Sequence, residues 1–184
     1  IITRATLLLA ISAVVIFQPE LRTALAKIGS SRFFLFPNNR QLAFLETFTD
    51  AVLKLSKTRV GALFAIERSI SLRPHLDTGV VLDAEFSSEL AQTVFHPKTP
   101  LHDGGMIIAR DRVAGAACVF PVSQKELSDR SIGLRHRAAI GISEETDCVA
   151  VVVSEETGGI SICIDGELIR NLNDDDFRER LGTI

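Results

Sequence analysis

Three short segments of the chain carry residue types that could do chemistry. In Thr99-Pro100-Leu101-His102-Asp103-Gly104-Gly105, an imidazole and a carboxylate stand in a turn that Pro100 stiffens and two glycines open to close ligand approach. Such a pair can bind a divalent metal or poise a general base for a hydroxyl. The plain alternative is an Asp-Gly turn with a surface histidine. In Gly133-Leu134-Arg135-His136-Arg137-Ala138-Ala139, three potentially cationic side chains follow one another. They cannot share one helix face, so they fan around a point. At a helix start this array suits phosphate oxygens, through bidentate Arg hydrogen bonds and the helix dipole; a solvated basic turn is the alternative. In Val153-Ser154-Glu155-Glu156-Thr157-Gly158-Gly159, a strand ends in a hydroxyl and carboxylates. Ligands of α/β folds often sit at such strand ends, and Glu155 or Glu156 could hold a ribose or a metal. A polar hairpin turn explains the same residues.

The elements that must position these segments follow from periodicity. Asn38-Asn39 can cap a helix from about Arg40 to Ser56, with Leu42, Leu45, Phe48, Val52 and Leu55 on one face. Val60 to Ile66 and Val80 to Leu82 read as strands, followed by a helix from about Ser87 to Val94. Met106 to Ala109 and Val113 to Phe120 flank Arg110-Asp111-Arg112 as a hairpin. Arg135 to Ile140 can open a helix. Val149 to Val153 and Ile160 to Ile164 read as strands around the third segment, with a turn at Asp165-Gly166. Asp174 to Leu181 is a closing helix whose acidic first turn complements the dipole, so Asp174-Asp175-Asp176 is no metal site. This order predicts a single α/β or α+β domain with a mixed sheet. His75 and His96 lie beside prolines in loops without partner spacing, and Met106 reads as core.

Composition narrows the function classes. The chain has 184 residues, 46% hydrophobic and 23% charged, which suits one globular domain and disfavours disorder. A net charge of -3 supplies no general basic field for nucleic acid, though a local phosphate pocket is compatible with it. Cys118, Cys148 and Cys163 sit in apolar runs without a Cys-x-x-Cys, as buried reduced thiols would. Trp and Tyr are absent, so base stacking falls to Phe or aliphatic walls.

The apolar run Thr6 to Phe17 falls short of the roughly 18–20 residues that cross a bilayer, even counted from Ile1 with Arg4 inside it. A core helix would also fit it. The positive flank Arg22, Lys27 and Arg32 favours the end of a transmembrane helix with cytosolic residues after it. Starting at Ile1, the chain reads as part of a longer protein. The expected organisation is a truncated membrane segment over 1–17, a juxtamembrane linker helix over 18–32 and a catalytic domain over 33–184.

Together the three segments resemble the diadenylate cyclase family in order and spacing. Its Asp-Gly-Ala and Arg-His-Arg motifs match His102-Asp103-Gly104-Gly105 and Arg135-His136-Arg137. The likeness extends through Phe17-Gln18-Pro19-Glu20-Leu21-Arg22, Arg137 to Glu144 and Val153 to Gly159, and is closest to the membrane-bound branch. It implies an α/β domain with a central mixed β-sheet flanked by helices, and a nucleotidyltransferase that condenses two ATP into cyclic di-AMP and two pyrophosphates with Mg²⁺ or Mn²⁺. It also implies a face-to-face homodimer as the working unit, anchored to the cell membrane with the catalytic domain in the cytoplasm, and no nucleic-acid partner. By position, the resemblance implies that Asp103 activates the 3′-hydroxyl near the metal, with His102 as a metal ligand. Gly104 and Gly105 would admit the nucleotide, while Arg135, His136 and Arg137 would engage phosphates or shape the site. Ser154 and Glu155 would contact phosphate, metal or ribose, and the backbone near Phe120 would border adenine. Two positions depart from the pattern: Gly105 replaces the usual Ala, and Leu134 replaces a common Thr. Loss of one Thr hydrogen bond would cost roughly 0.5–1.5 kcal/mol, giving slower turnover or weaker ATP binding. A catalytically weak or inactive nucleotide-binding module of the same fold is the alternative.

Overall fold

The computed structural model describes Gln18 and residues 39–125 and 132–183, and apart from Gln18 these belong to one compact unit, 36–184. The expected segment 1–17, the linker helix over 18–32 and the capping Asn38 lie outside the described residues, Gln18 excepted.

Strands buried on both faces build the centre of the sheet. The sheet's strands are β1 (Ala62–Ile66), β2 (Val80–Glu85), β3 (Gly105–Ala109), β4 (Arg112–Cys118), β5 (Val149–Val153), β6 (Ile160–Ile164) and β7 (Glu167–Leu172). Their spatial order is β2-β4-β3-β1-β5-β6-β7. Among the described residues only β1 and β3 pair in parallel; the other pairs are antiparallel, so the sheet is mixed as predicted. Successive side chains leave opposite faces of a strand. Phe64, Met106, Ile108, Val151 and Ile162 accordingly build one core, and Leu63, Ile107, Ala150, Val152 and Cys163 build the other.

Helices cover both faces. On the first core lie α1 (Asn39–Thr58), α3 (Ser88–Phe95) and α5 (Asp174–Thr183). Phe48, Val52 and Leu55 of α1 are buried as expected, whereas Leu42 in its first turn is exposed, ahead of the point where packing begins. Phe48, Phe64 and Phe95 form a chain of edge-on rings between helix and sheet, with centroids 5.1 and 4.9 Å apart. Ser87 caps α3, its hydroxyl accepting from the Leu90 N–H at 3.1 Å. On the second core lies α4 (Leu134–Glu145), packed across β1, β5 and β6.

Two elements were not anticipated: the four-residue α2 (Arg73–Leu76) and β7. Pro74 fits the first turn of α2 because that turn's N–H groups have no intrahelical acceptor. The three cysteines are buried and free, and Met106 is fully buried. Among the described residues no helix is long and apolar enough to cross a membrane.

Candidate functional site

The pairing registers bring three chain segments to one end of the sheet. There β1, β3 and β6 begin, and β4, β5 and β7 end. The N-terminus of α4 lies beside them, and together they enclose a cleft of about 790 Å³. His102, Asp103, Gly104, Gly105, Phe120, Leu134, Arg135, His136, Ser154 and Glu155 all line it.

The first wall is the loop before β3. Gly104 has φ +114°, a conformation that L side chains avoid, and a Cβ there would stand 2.8 Å from Ala117 C and Cys118 O. This tight approach of the loop to β4 leaves Asp103 exposed at its tip. The His102 Nδ1 lies 2.6 Å from the Thr99 carbonyl oxygen. A carbonyl only accepts, so Nδ1 carries a proton, and the tautomer this contact selects presents its lone pair on Nε2.

The second wall is the start of α4. Its N-cap, Gly133, offers no side chain to the first N–H groups. Arg135 bonds Glu155 through Nη1–Oε2 at 2.6 Å. Gly61 lies directly beneath: a Cβ on it would stand 2.8 Å from both Arg135 Nη1 and Glu155 Oε2. His136 is buried, with Nε2 3.3 Å from Ser161 Oγ. Burial first, and the Arg170 charge second, push its pKa below the ordinary histidine range, so the ring is neutral near pH 7. Of the three clustered side chains, the two arginines carry the charge.

Arg137 is not among the cleft-lining residues. It points to the segment after β4, its Nη1 reaching the Ser123 carbonyl at 3.5 Å while its own carbonyl accepts from Ser123 N–H at 3.1 Å. These bonds tie the strip carrying Phe120 and Val122 to α4.

The third wall is the turn from Ser154 to Gly159. Ser154 N–H donates to the Gly159 carbonyl and Gly158 N–H to the Ser154 carbonyl, both at 2.9 Å. From the end of α1, Ser56 Oγ donates to the Gly158 carbonyl at 2.6 Å and pins the turn. Sequence reasoning missed Gly61 and Ser56, and also Arg170 and Asn171 of β7, which line the cleft. The signal for β7 was Asp165-Gly166 itself, since Asp-Gly after an apolar strand commonly opens a second strand.

Residues 49–168 match the family model DAC, described as DisA bacterial checkpoint controller nucleotide-binding. The chain belongs to the DAC family. The cyclic di-AMP synthase CdaA of Bacillus subtilis is 42% identical to it over 175 residues, covering 93% of this chain and 64% of that protein. A diadenylate cyclase of Listeria monocytogenes is 39% identical over 175 residues, with the same coverage. The chain thus spans just under two thirds of the length of these curated relatives. A crystal structure of a DacA double mutant from Staphylococcus aureus superposes with TM-score 0.77 at 40% identity, covering 79% of this chain and 97% of that one. A hypothetical membrane spanning protein from Bacillus cereus gives TM-score 0.68 at 31% identity, covering 87% of this chain and 80% of that one. The expected family and the mixed-sheet fold are both borne out.

The two departures from the DAC pattern have different settings. Leu134 projects from the cleft rim and is 71% exposed. Gly105 is buried, and a Cβ on it would overlap the edge of the Phe120 ring, which stands T-shaped against His75 on another side. Among the described residues no group of three or more His, Cys, Asp and Glu is placed to hold a metal ion. His102 and Asp103 nevertheless offer an imidazole nitrogen and a carboxylate at the open end of the cleft. Two protein donors fit a divalent ion that takes its other ligands from phosphate and water.

Proposed function

We propose that the chain is the catalytic domain of a diadenylate cyclase, joining two ATP molecules into cyclic di-AMP with release of two pyrophosphates. One observation carries this reading: the Asp103 loop, the Arg135–Glu155 pair and the Ser154–Gly159 turn converge on a single cleft in a chain of the DAC family. The naming of several relatives as diadenylate cyclases or cyclic di-AMP synthases supports it.

In this reading each protomer binds one ATP, and two protomers face each other across their clefts. The 3′-hydroxyl oxygen of one nucleotide attacks the α-phosphorus of the other. A new P–O bond forms, the bond to the pyrophosphate oxygen breaks, and the hydroxyl proton passes to the Asp103 carboxylate. Repeating the transfer with the roles exchanged closes the ring. Asp103 and His102 Nε2 would hold the divalent cation, Mg²⁺ or Mn²⁺, which when bound offsets phosphate charge. Arg135 binds phosphate oxygens in the geometry that Glu155 and Gly61 impose, a contribution of positioning and electrostatics. Ser154 and Glu155 contact phosphate, ribose or the cation, Gly104 and Gly105 admit the nucleotide, and the Phe120 strip borders the base. His136, neutral and bonded to Ser161, shapes the floor, and Arg137 holds the Phe120 strip to α4.

The partner reading draws on the rim. Val119, Val122 and Leu134 are exposed apolar side chains around the cleft mouth, as a surface that meets a second protomer would be. Residues 1–17 and 18–32 would anchor the domain to the cell membrane and leave 33–184 in the cytoplasm. The resemblance of this chain to a hypothetical membrane spanning protein from Bacillus cereus agrees with that. The test is to incubate purified protein with ATP and Mg²⁺ or Mn²⁺ and separate the products. Cyclic di-AMP is the expected product, and its absence at high protein concentration sinks the reading.

A further inference from the structure

An irregularity in the last strand pair places a cation in the cleft that no motif singles out. Ile162 of β6 pairs with Ile169 of β7, but Ile160 pairs with Leu172. One residue of β6, Ser161, therefore faces two residues of β7, Arg170 and Asn171. This is a β-bulge, and Asn171 adopts φ +55° within it, a conformation Asn tolerates better than most residues. In a regular strand, Arg170 and Leu172 would share a face. With the extra residue, Leu172 packs on the first core while Arg170 and Asn171 both line the cleft. Bulges that re-aim side chains are frequent beside active sites.

From this we infer that Arg170 is a second phosphate-binding cation of the site, contacting the polyphosphate of a bound nucleotide from the β7 side, opposite the Asp103 loop. The inference rests on the nucleotide reading above and adds a residue to it. The surroundings agree. Arg170 is half-buried at a wall shared with Ser161, Glu156 and the neutral His136, whose pKa its charge helps to hold down. A guanidinium in a partly desolvated cleft binds a phosphate through paired, charge-assisted hydrogen bonds. A purely structural arginine would serve the fold equally well with or without phosphates on the ligand.

The test uses that difference. ATP and AMP affinities are measured by calorimetry with Mg²⁺ on the full chain, for wild type, Arg170→Gln and Arg170→Lys. Arg170→Gln should weaken ATP about tenfold or more while AMP changes far less, with Arg170→Lys in between because it keeps charge but loses the fork. Equal loss for both nucleotides, or none for either, overturns the role of Arg170 while leaving the nucleotide reading intact. A wild-type chain that binds neither nucleotide overturns both. If Arg170→Gln does not fold, Arg170→Lys carries the same comparison.

Discussion

Arg135 and Glu155 meet at 2.6 Å directly over Gly61, where any Cβ would intrude on both side chains. The pair joins the start of α4 to the turn after β5, so it fixes how the basic and acidic segments face each other. Glu155 is largely exposed, and an exposed ion pair contributes about 0–1 kcal/mol to stability. Glu155→Gln and Gly61→Ala should therefore leave denaturation midpoints almost unchanged. Both should lower kcat/KM for ATP by about tenfold or more, because Arg135 loses its aim. Wild-type kinetics in both variants would show that the pair has no role in the reaction.

Gly105 and Phe120 form a second linked pair. The ring occupies space that a Cβ at 105 would need, so Gly105→Ala alone should displace Phe120 and weaken ATP binding. Phe120→Leu should relieve that overlap, and the double variant should bind ATP better than Gly105→Ala alone. A double-mutant cycle in ATP affinity measures the coupling, and strict additivity would argue against it.

Asp103→Asn keeps the loop's shape but cannot take up a proton in the same way. ATP binding should persist while the rate of product formation falls by at least about 100-fold. A variant that turns over normally would remove Asp103 from the role of base.

His136 gives a stability prediction with a defined sign. Its folded pKa is depressed by burial and by Arg170, so the folded protein takes up this proton less readily than the unfolded chain. The stabilising contribution is complete above the ordinary histidine value of about 6.5 and is lost as pH falls from there through the lower folded value. Urea denaturation at pH 7.5 and 5.5 should show a larger loss for wild type than for His136→Asn. Identical losses would contradict a depressed value.

The fully buried ring of Phe64, edge-on to Phe48 and Phe95, holds the sheet to α1 and α3. Phe64→Ala should destabilise the domain by about 3–5 kcal/mol in denaturant titration, unless the surrounding rings collapse into the space.

The extent to which all this was legible in the sequence depends on range. Val149 to Val153 and Ile160 to Ile164 announce themselves because strands buried on both faces are almost wholly apolar, Ser161 being the polar exception. The Arg110-Asp111 hairpin and the helix starting near Ser87 are local features of the same kind. In β7, Leu168, Ile169, Arg170, Asn171 and Leu172 break the alternation at the bulge, so the strand that carries Arg170 gave no clear period. The direction of Arg137 depends on the strip around Ser123 packing on α4, which a run of Arg-His-Arg does not encode. Gly61 needs to be small only because Arg135 and Glu155 arrive from distant parts of the chain. The three segments were visible singly, but their convergence on one cleft was a tertiary fact that the family resemblance supplied.

The most direct measurement is the rate and identity of product formed from ATP and Mn²⁺ across a dilution series of the protein. Cyclic di-AMP should appear with two pyrophosphates per molecule, and the rate per mole of protein should rise with protein concentration as two half-sites assemble. Intact ATP at the highest concentration, or ADP or AMP as the sole nucleotide product, would contradict the assignment.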